Sequence, residues 1–131
     1  MKKKLLSEAV RTARARIANQ NHPQYNFFIH YTFVVVNKRL MGFGVNREGR
    51  PFYDGFGYHK TSKIHSEADA YNKYKGLIKS DFSVINLRFN RQGMLRMAKP
   101  CDCCTAFLIA VNCSTAIYST RTGSFAKMRF N

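Results

Sequence analysis

Two short runs hold the residue types that do chemistry. One is Lys63-Ile64-His65-Ser66-Glu67-Ala68, the other Lys99-Pro100-Cys101-Asp102-Cys103-Cys104. Each is ambiguous alone, since His-x-Glu arises by chance and Pro-Cys-x-x-Cys also serves structural zinc knuckles and redox pairs. Together they offer an imidazole and two thiolates to one ion, with a carboxylate left over. Three protein ligands leave the fourth corner of a tetrahedral zinc for water, which is the arrangement of a reactive centre and not of a closed structural one. Zn2+ is therefore the expected cofactor and His65, Cys101 and Cys104 the expected ligands. Glu67, two residues past His65, is the expected acid–base group, moving protons between water and substrate.

The elements that must position these residues can be read from periodicity. Pro100 suits a first helical turn, where a missing N–H costs nothing. Cys101 and Cys104 then fall one turn apart on one helix face, at the positive end that favours thiolates. Cys103 does not share that face and is expected to be a small core residue, as is Cys113. His65 is expected to open the other helix, over 65–78. Upstream, Leu5, Leu6, Ala9, Val10, Ala13 and Ile17 predict a basic amphipathic helix over 5–19. Aromatic and β-branched residues predict a strand over 27–36, turning at Asn37-Lys38 into a second strand over 40–46. Gly42 and Gly44 in that second strand predict a bulge or a close backbone approach. Residues 47–64 read as a long irregular segment. A strand over 82–89, a helix over 101–111 and strands over 114–119 and 124–130 complete the chain. Strands alternating with helices after a hairpin predict a single α/β domain over 1–131, a three-layer α/β/α sandwich with a mixed five-stranded sheet. Only a short turn at Arg121-Thr122-Gly123 separates the last two strands. A parallel pair needs a crossover of about a dozen residues or more, so these two are expected to be antiparallel.

Charge narrows the class of partner. Among 131 residues, 22 Lys and Arg face 7 Asp and Glu, a net charge of +15 that attracts polyanions. The irregular segment interleaves aromatics with cations, which suits either a groove for single-stranded nucleic acid, where bases stack and phosphates pair, or a loop that packs its own aromatics against the domain. Arg47, Arg50, Lys60 and Lys63 are the expected phosphate contacts. No apolar run reaches the roughly 18 residues of a membrane span, so no membrane partner is expected. After the basic start, Leu5-Leu6-Ser7-Glu8 is too polar for a signal-peptide core. Four cysteines within the span Cys101 to Cys113 suit metal binding better than a disulfide framework, and a reducing, cytoplasmic location is expected.

Taken together, the chain resembles the cytidine deaminase-like superfamily. The resemblance rests on His65-Ser66-Glu67-Ala68 and Pro100-Cys101-x-x-Cys104, each opening a helix, within a matching order of elements over nearly the whole chain. Ser66 stands where alanine is more frequent in that family. Gly44-Val45-Asn46 looks like the family's Gly-x-Asn, which implies that Asn46 contacts the sugar of the substrate. Phe28, at the start of the first strand, and Tyr118, at the end of the fourth, are candidates to flank the base. The antiparallel last pair resembles the branch that holds free-nucleoside cytidine deaminases, whereas the charge points to a polymer. With charge given the greater weight, the expected activity is zinc-dependent hydrolytic deamination of cytosine to uracil in single-stranded nucleic acid, DNA ahead of RNA. The alternative is deamination of free cytidine, deoxycytidine or their nucleotides. A non-catalytic, zinc-containing nucleic-acid-binding protein is the third reading. The oligomeric state stays open.

Overall fold

The computed structural model describes residues 3–20, 29–48 and 63–130. A β-branched run makes β1 (Ile29–Val36), and Asn37-Lys38 returns the chain into β2 (Arg39–Val45). Both turn residues have positive φ, 51° and 64°, the mirror-image turn whose twist matches that of a hairpin. The turn forms without the usual glycine. Between the Val34↔Gly42 and Val35↔Leu40 pairs, Met41 is the extra, bulged residue of β2. This is the irregularity that Gly42 and Gly44 predict.

Beyond Asn46, a two-residue antiparallel ribbon, β3 (Arg47–Glu48) and β4 (Lys63–Ile64), brackets residues 49–62. The two ends of the segment expected to be irregular are therefore strands, and its residues 49–62 lie outside the described residues. Helix α2 (Ser66–Tyr74) follows, with His65 as its N-cap, and continues as one 3-10 turn over Lys75–Leu77. It is shorter than expected, because Gly76 lies in the turn where the helix would have continued.

β5 (Phe82–Phe89) pairs antiparallel with β1, β6 (Cys113–Ser119) runs parallel to β5, and β7 (Phe125–Arg129) returns antiparallel to β6. The sheet order is β2-β1-β5-β6-β7, so the sheet is mixed and five-stranded with its last pair antiparallel, as expected. Side chains alternate across it. Tyr31, Phe33, Ile85, Leu87 and Phe89 face α1 (Lys3–Gln20), where Ala9 and Ala13 are fully buried. Val34, Val84 and Ala116 face α2 and α3 (Asp102–Ala110). By the same alternation, His30, Thr32, Asn86, Arg88 and Tyr118 lie on the α2–α3 face. No helix among the described residues is long and apolar enough to cross a membrane.

Candidate active site

The N-termini of α2 and α3 meet over the α2–α3 face of the sheet and bring the two chemical runs together. His65 Nδ1 lies 3.3 Å from Cys104 Sγ and 3.7 Å from Cys101 Sγ. All three donor atoms fall within 4.8 Å of one another and could hold a metal ion. Tetrahedral zinc, with Zn–S of about 2.3 Å and Zn–N of about 2.0–2.1 Å, sets nitrogen and sulfur about 3.6 Å apart, close to both observed separations. Two thiolates with one imidazole also suit zinc by ligand softness. Cys104 is fully buried and Cys101 exposed, so the cluster opens to solvent on the Cys101 side.

Pro100 does not occupy the first helical turn expected for it but stands two positions before Asp102, the first residue of α3. Cys101 is the N-cap of α3, with extended backbone, and its Sγ accepts from Cys104 N–H at 3.4 Å. A thiolate can itself receive an otherwise unpartnered amide of a first turn, which draws both sulfurs to one place without requiring both residues to be helical. Hydrogen bonding from Cys104, opposed by burial and reinforced by His65, holds the Cys101 thiol down at about 3. The sulfur therefore waits as a thiolate, the form that binds metal. Cys103 packs half-buried against the core. Cys113 is buried, which pushes its thiol up to about 12, so it is a core residue, as its apolar setting predicts.

Glu67 projects from the first turn of α2 and is almost fully buried. Asn86 Nδ2 donates to Glu67 Oε2 at 2.8 Å and, more weakly, to the Ala98 carbonyl at 3.4 Å. Asn86 Oδ1 in turn accepts from the Thr32 hydroxyl at 2.8 Å. Ser66 Oγ lies 2.7 Å from Thr32 Oγ1 and 3.3 Å from Glu67 Oε1. Thr32, Asn86 and Ser66 are buried, so the Glu67 carboxylate rests on a closed polar cluster in an otherwise apolar layer. Sequence reading missed Thr32 and Asn86. The available signal was a polar residue set against an apolar run in each strand, Thr32 before Phe33-Val34-Val35-Val36 and Asn86 within Val84-Ile85-Asn86-Leu87.

The rim is set by the β3–β4 ribbon. Its Arg47↔Ile64 pair places Asn46 and His65, the neighbours of those two residues, at the same end of the ribbon. His30 N–H donates to Asn46 Oδ1 at 3.0 Å, and Asn46 N–H returns a bond to the His30 carbonyl at 3.4 Å. Buried Asp69 of α2 accepts from Val45 N–H at 3.0 Å, tying the end of β2 to the helix that carries Glu67. His30, paired in register with Arg88, is another residue that sequence reading passed over. Burial, with help from Arg88 and His65, lowers its pKa to about 4, so the imidazole is neutral near pH 7. Tyr118 pairs in register with Asn86, in the sheet row beneath Glu67. Phe28, Arg50 and Lys60 lie outside the described residues. Arg47 and Lys63 are placed by the backbone of the ribbon.

Part of the basic charge is engaged within the fold. Arg14 and Arg16 of α1 lie over the rings of Phe89 and Phe43, 5.8 Å and 5.1 Å from the centroids. Arg14 Nη2 also donates to the Gly93 carbonyl at 3.3 Å. α1 covers the sheet face opposite α2 and α3, so its cations do not line the metal-binding cluster.

Fold and cluster together define the class: the chain has the cytidine deaminase-like fold, with a His/Cys/Cys group suited to zinc. Neither a family model nor a curated protein matches the sequence. Among solved structures, the chain is similar to dCMP deaminase from the cyanophage S-TIM5. Against that enzyme in complex with dCMP and dUMP, the TM-score is 0.58 at 16% identity, covering 92% of this chain and 85% of that chain. Against its apo form, the TM-score is 0.58 at 19% identity, covering 93% and 87%.

Proposed function

We propose that the chain is a zinc-dependent hydrolytic deaminase acting on the cytosine of a small nucleotide of the dCMP class. The observation that carries this reading is the convergence of His65, Cys101 and Cys104 beside a buried carboxylate, Glu67, with its own hydrogen-bond support. His65, Cys101 and Cys104 would hold the ion, which when bound lowers the pKa of a water at its open position to near neutrality. Glu67 takes a proton from that water. It would pass that proton to the ring nitrogen as the water oxygen bonds to the ring carbon, then move the added hydroxyl's proton to the amine, so that the C–N bond breaks, ammonia leaves and a carbonyl remains. Asn46 has its Oδ1 committed to His30 N–H, so its NH2 is the group offered to a sugar oxygen of the substrate. Tyr118 is the candidate to flank the base.

Two features favour a nucleotide over a polymer. The fold is similar to that of a deaminase bound to dCMP and dUMP, and two of the α1 arginines are stacked on rings away from the cluster. A single phosphate still needs cations at the rim. Arg47 and Lys63, in the ribbon next to Asn46 and His65, are the candidates. The second reading, deamination within single-stranded nucleic acid, is favoured by the net charge of +15. A parallel assay on dCMP, deoxycytidine, cytidine and a cytosine-containing single-stranded oligonucleotide separates the two, with product read by mass. dCMP is expected to be converted fastest. Conversion of the oligonucleotide with dCMP inert would transfer the assignment to the second reading.

A further inference from the structure

We infer that Asn86 and Thr32 are positioning residues that fix the orientation of the Glu67 carboxylate by holding its Oε2 as an acceptor. The inference rests on the assignment of Glu67 as the acid–base group. It follows from counting protons in the buried cluster. Asn86 faces two groups that accept, Glu67 Oε2 and the Ala98 carbonyl, so its NH2 must point to them and its Oδ1 must point to Thr32. Thr32 has one hydroxyl proton, and Oδ1 takes it. The 2.7 Å contact between Thr32 and Ser66 can then be satisfied only by the Ser66 proton. The bonds therefore run in one direction, from Ser66 to Thr32 to Asn86 to Glu67 Oε2.

The two carboxylate oxygens are thereby made unequal. Oε2 receives a short N–H bond from a side chain anchored at both ends. Among the described residues, Oε1 has the longer, 3.3 Å approach of Ser66, whose proton is already engaged by Thr32. The in-register pairs Thr32↔Asn86 and Asn86↔Tyr118 set this support in the rigid centre of the sheet. Ser66 also gains a role that alanine, the more frequent residue of the resembled family at this position, could not fill, because alanine has no proton to give Thr32.

Thr32→Val keeps shape and removes one hydroxyl that lies two bonds of the chain away from the carboxylate. We expect it to lower kcat about 10-fold or more, with KM within about threefold and the same metal content, as for the loss of a buried hydrogen-bond partner. Thr32→Ser, which restores the hydroxyl, should recover most of that loss. Unchanged kcat in Thr32→Val, or no recovery in Thr32→Ser, would overturn the inference. A second readout does not need turnover. In a double-mutant cycle of Asn86→Ala and Glu67→Ala on the purified full chain, read by denaturant unfolding, the two changes should couple by about 10-fold or more in the unfolding constant. Additive effects would overturn the inference. A parent protein that converts no cytosine substrate while the cycle still couples would instead remove the functional assignment and leave the hydrogen-bonded support of Glu67 in place.

Discussion

Gly44→Ala adds one methyl group at the point where β2 touches the backbone of α2. An ideal Cβ there would lie 2.6 Å from Ala70 Cα and 2.8 Å from the Asp69 carbonyl carbon, whereas ordinary contact begins near 3.4 Å. The opposing atoms belong to backbone and cannot swing aside as a side-chain tip would. The Ala70 backbone nitrogen is closer still, so helix and strand must separate by more than the 0.8 Å that the Ala70 Cα distance alone requires. Overpacking of this kind costs about 1–3 kcal/mol, or about 4–12 °C in Tm for a chain of this size. The larger effect is expected on turnover, because α2 begins with His65 and Glu67 and β2 ends beside Asn46. A displacement near 1 Å in a reacting constellation costs about 100-fold in rate. Scanning calorimetry and steady-state kinetics on Gly44→Ala test this, with Gly76→Ala as the control. A Cβ on Gly76 meets nothing within 4 Å, and that variant should match the parent or gain about 0.5 kcal/mol. A Gly44→Ala protein within about 1 °C and twofold in kcat of the parent would refute the close-packed coupling of β2 to α2, given how sensitive such packing is.

Other outcomes follow from the thiols and from His30. The folded pKa of His30, about 4, lies below its ordinary 6.5, so between those values the unfolded chain binds a proton that the folded chain refuses. His30's contribution to stability is complete above pH 6.5 and is lost as pH falls towards 4, by about 2–3 kcal/mol. Denaturant titrations at pH 7 and 4.5 should show that loss, and it should shrink in His30→Gln; an identical pH dependence in the variant would contradict the burial account. In chelator-treated protein at pH 7, alkylation should reach Cys101 before Cys113, because one thiol is held at about 3 and the other at about 12. Peptide mapping that finds Cys113 labelled first would contradict it.

The cluster was legible in the sequence where its geometry is local. His65 and Glu67 share the start of one helix, Cys101 and Cys104 the start of another, and three-residue spacing alone brings the second pair together. The order and type of the elements followed from periodicity, as did the antiparallel last strands, because a short turn permits nothing else. What depended on pairing across the chain was hidden. The proximity of Asn46 to His65 comes from the Arg47↔Ile64 register, and no periodicity announces a two-residue ribbon. Asn86 and Thr32 become partners only through the β1–β5 register. Pro100 lies two positions before the first residue of α3 because the Cys101 sulfur caps that helix, a role that spacing does not reveal. The net charge of +15 points to a polyanionic partner but does not say where the cations stand. Two of the α1 arginines lie on aromatic rings, on the sheet face opposite the cluster.

Purified protein loaded with zinc should carry one ion per chain, and so should its Glu67→Gln variant, because Glu67 lies outside the His/Cys/Cys group. Given dCMP, the parent should release dUMP and ammonia, and the variant should be slower by about 100- to 10,000-fold, the range for a lost acid–base group. A zinc-loaded parent that leaves dCMP unchanged, or a variant that converts it at the parent's rate, would contradict the account.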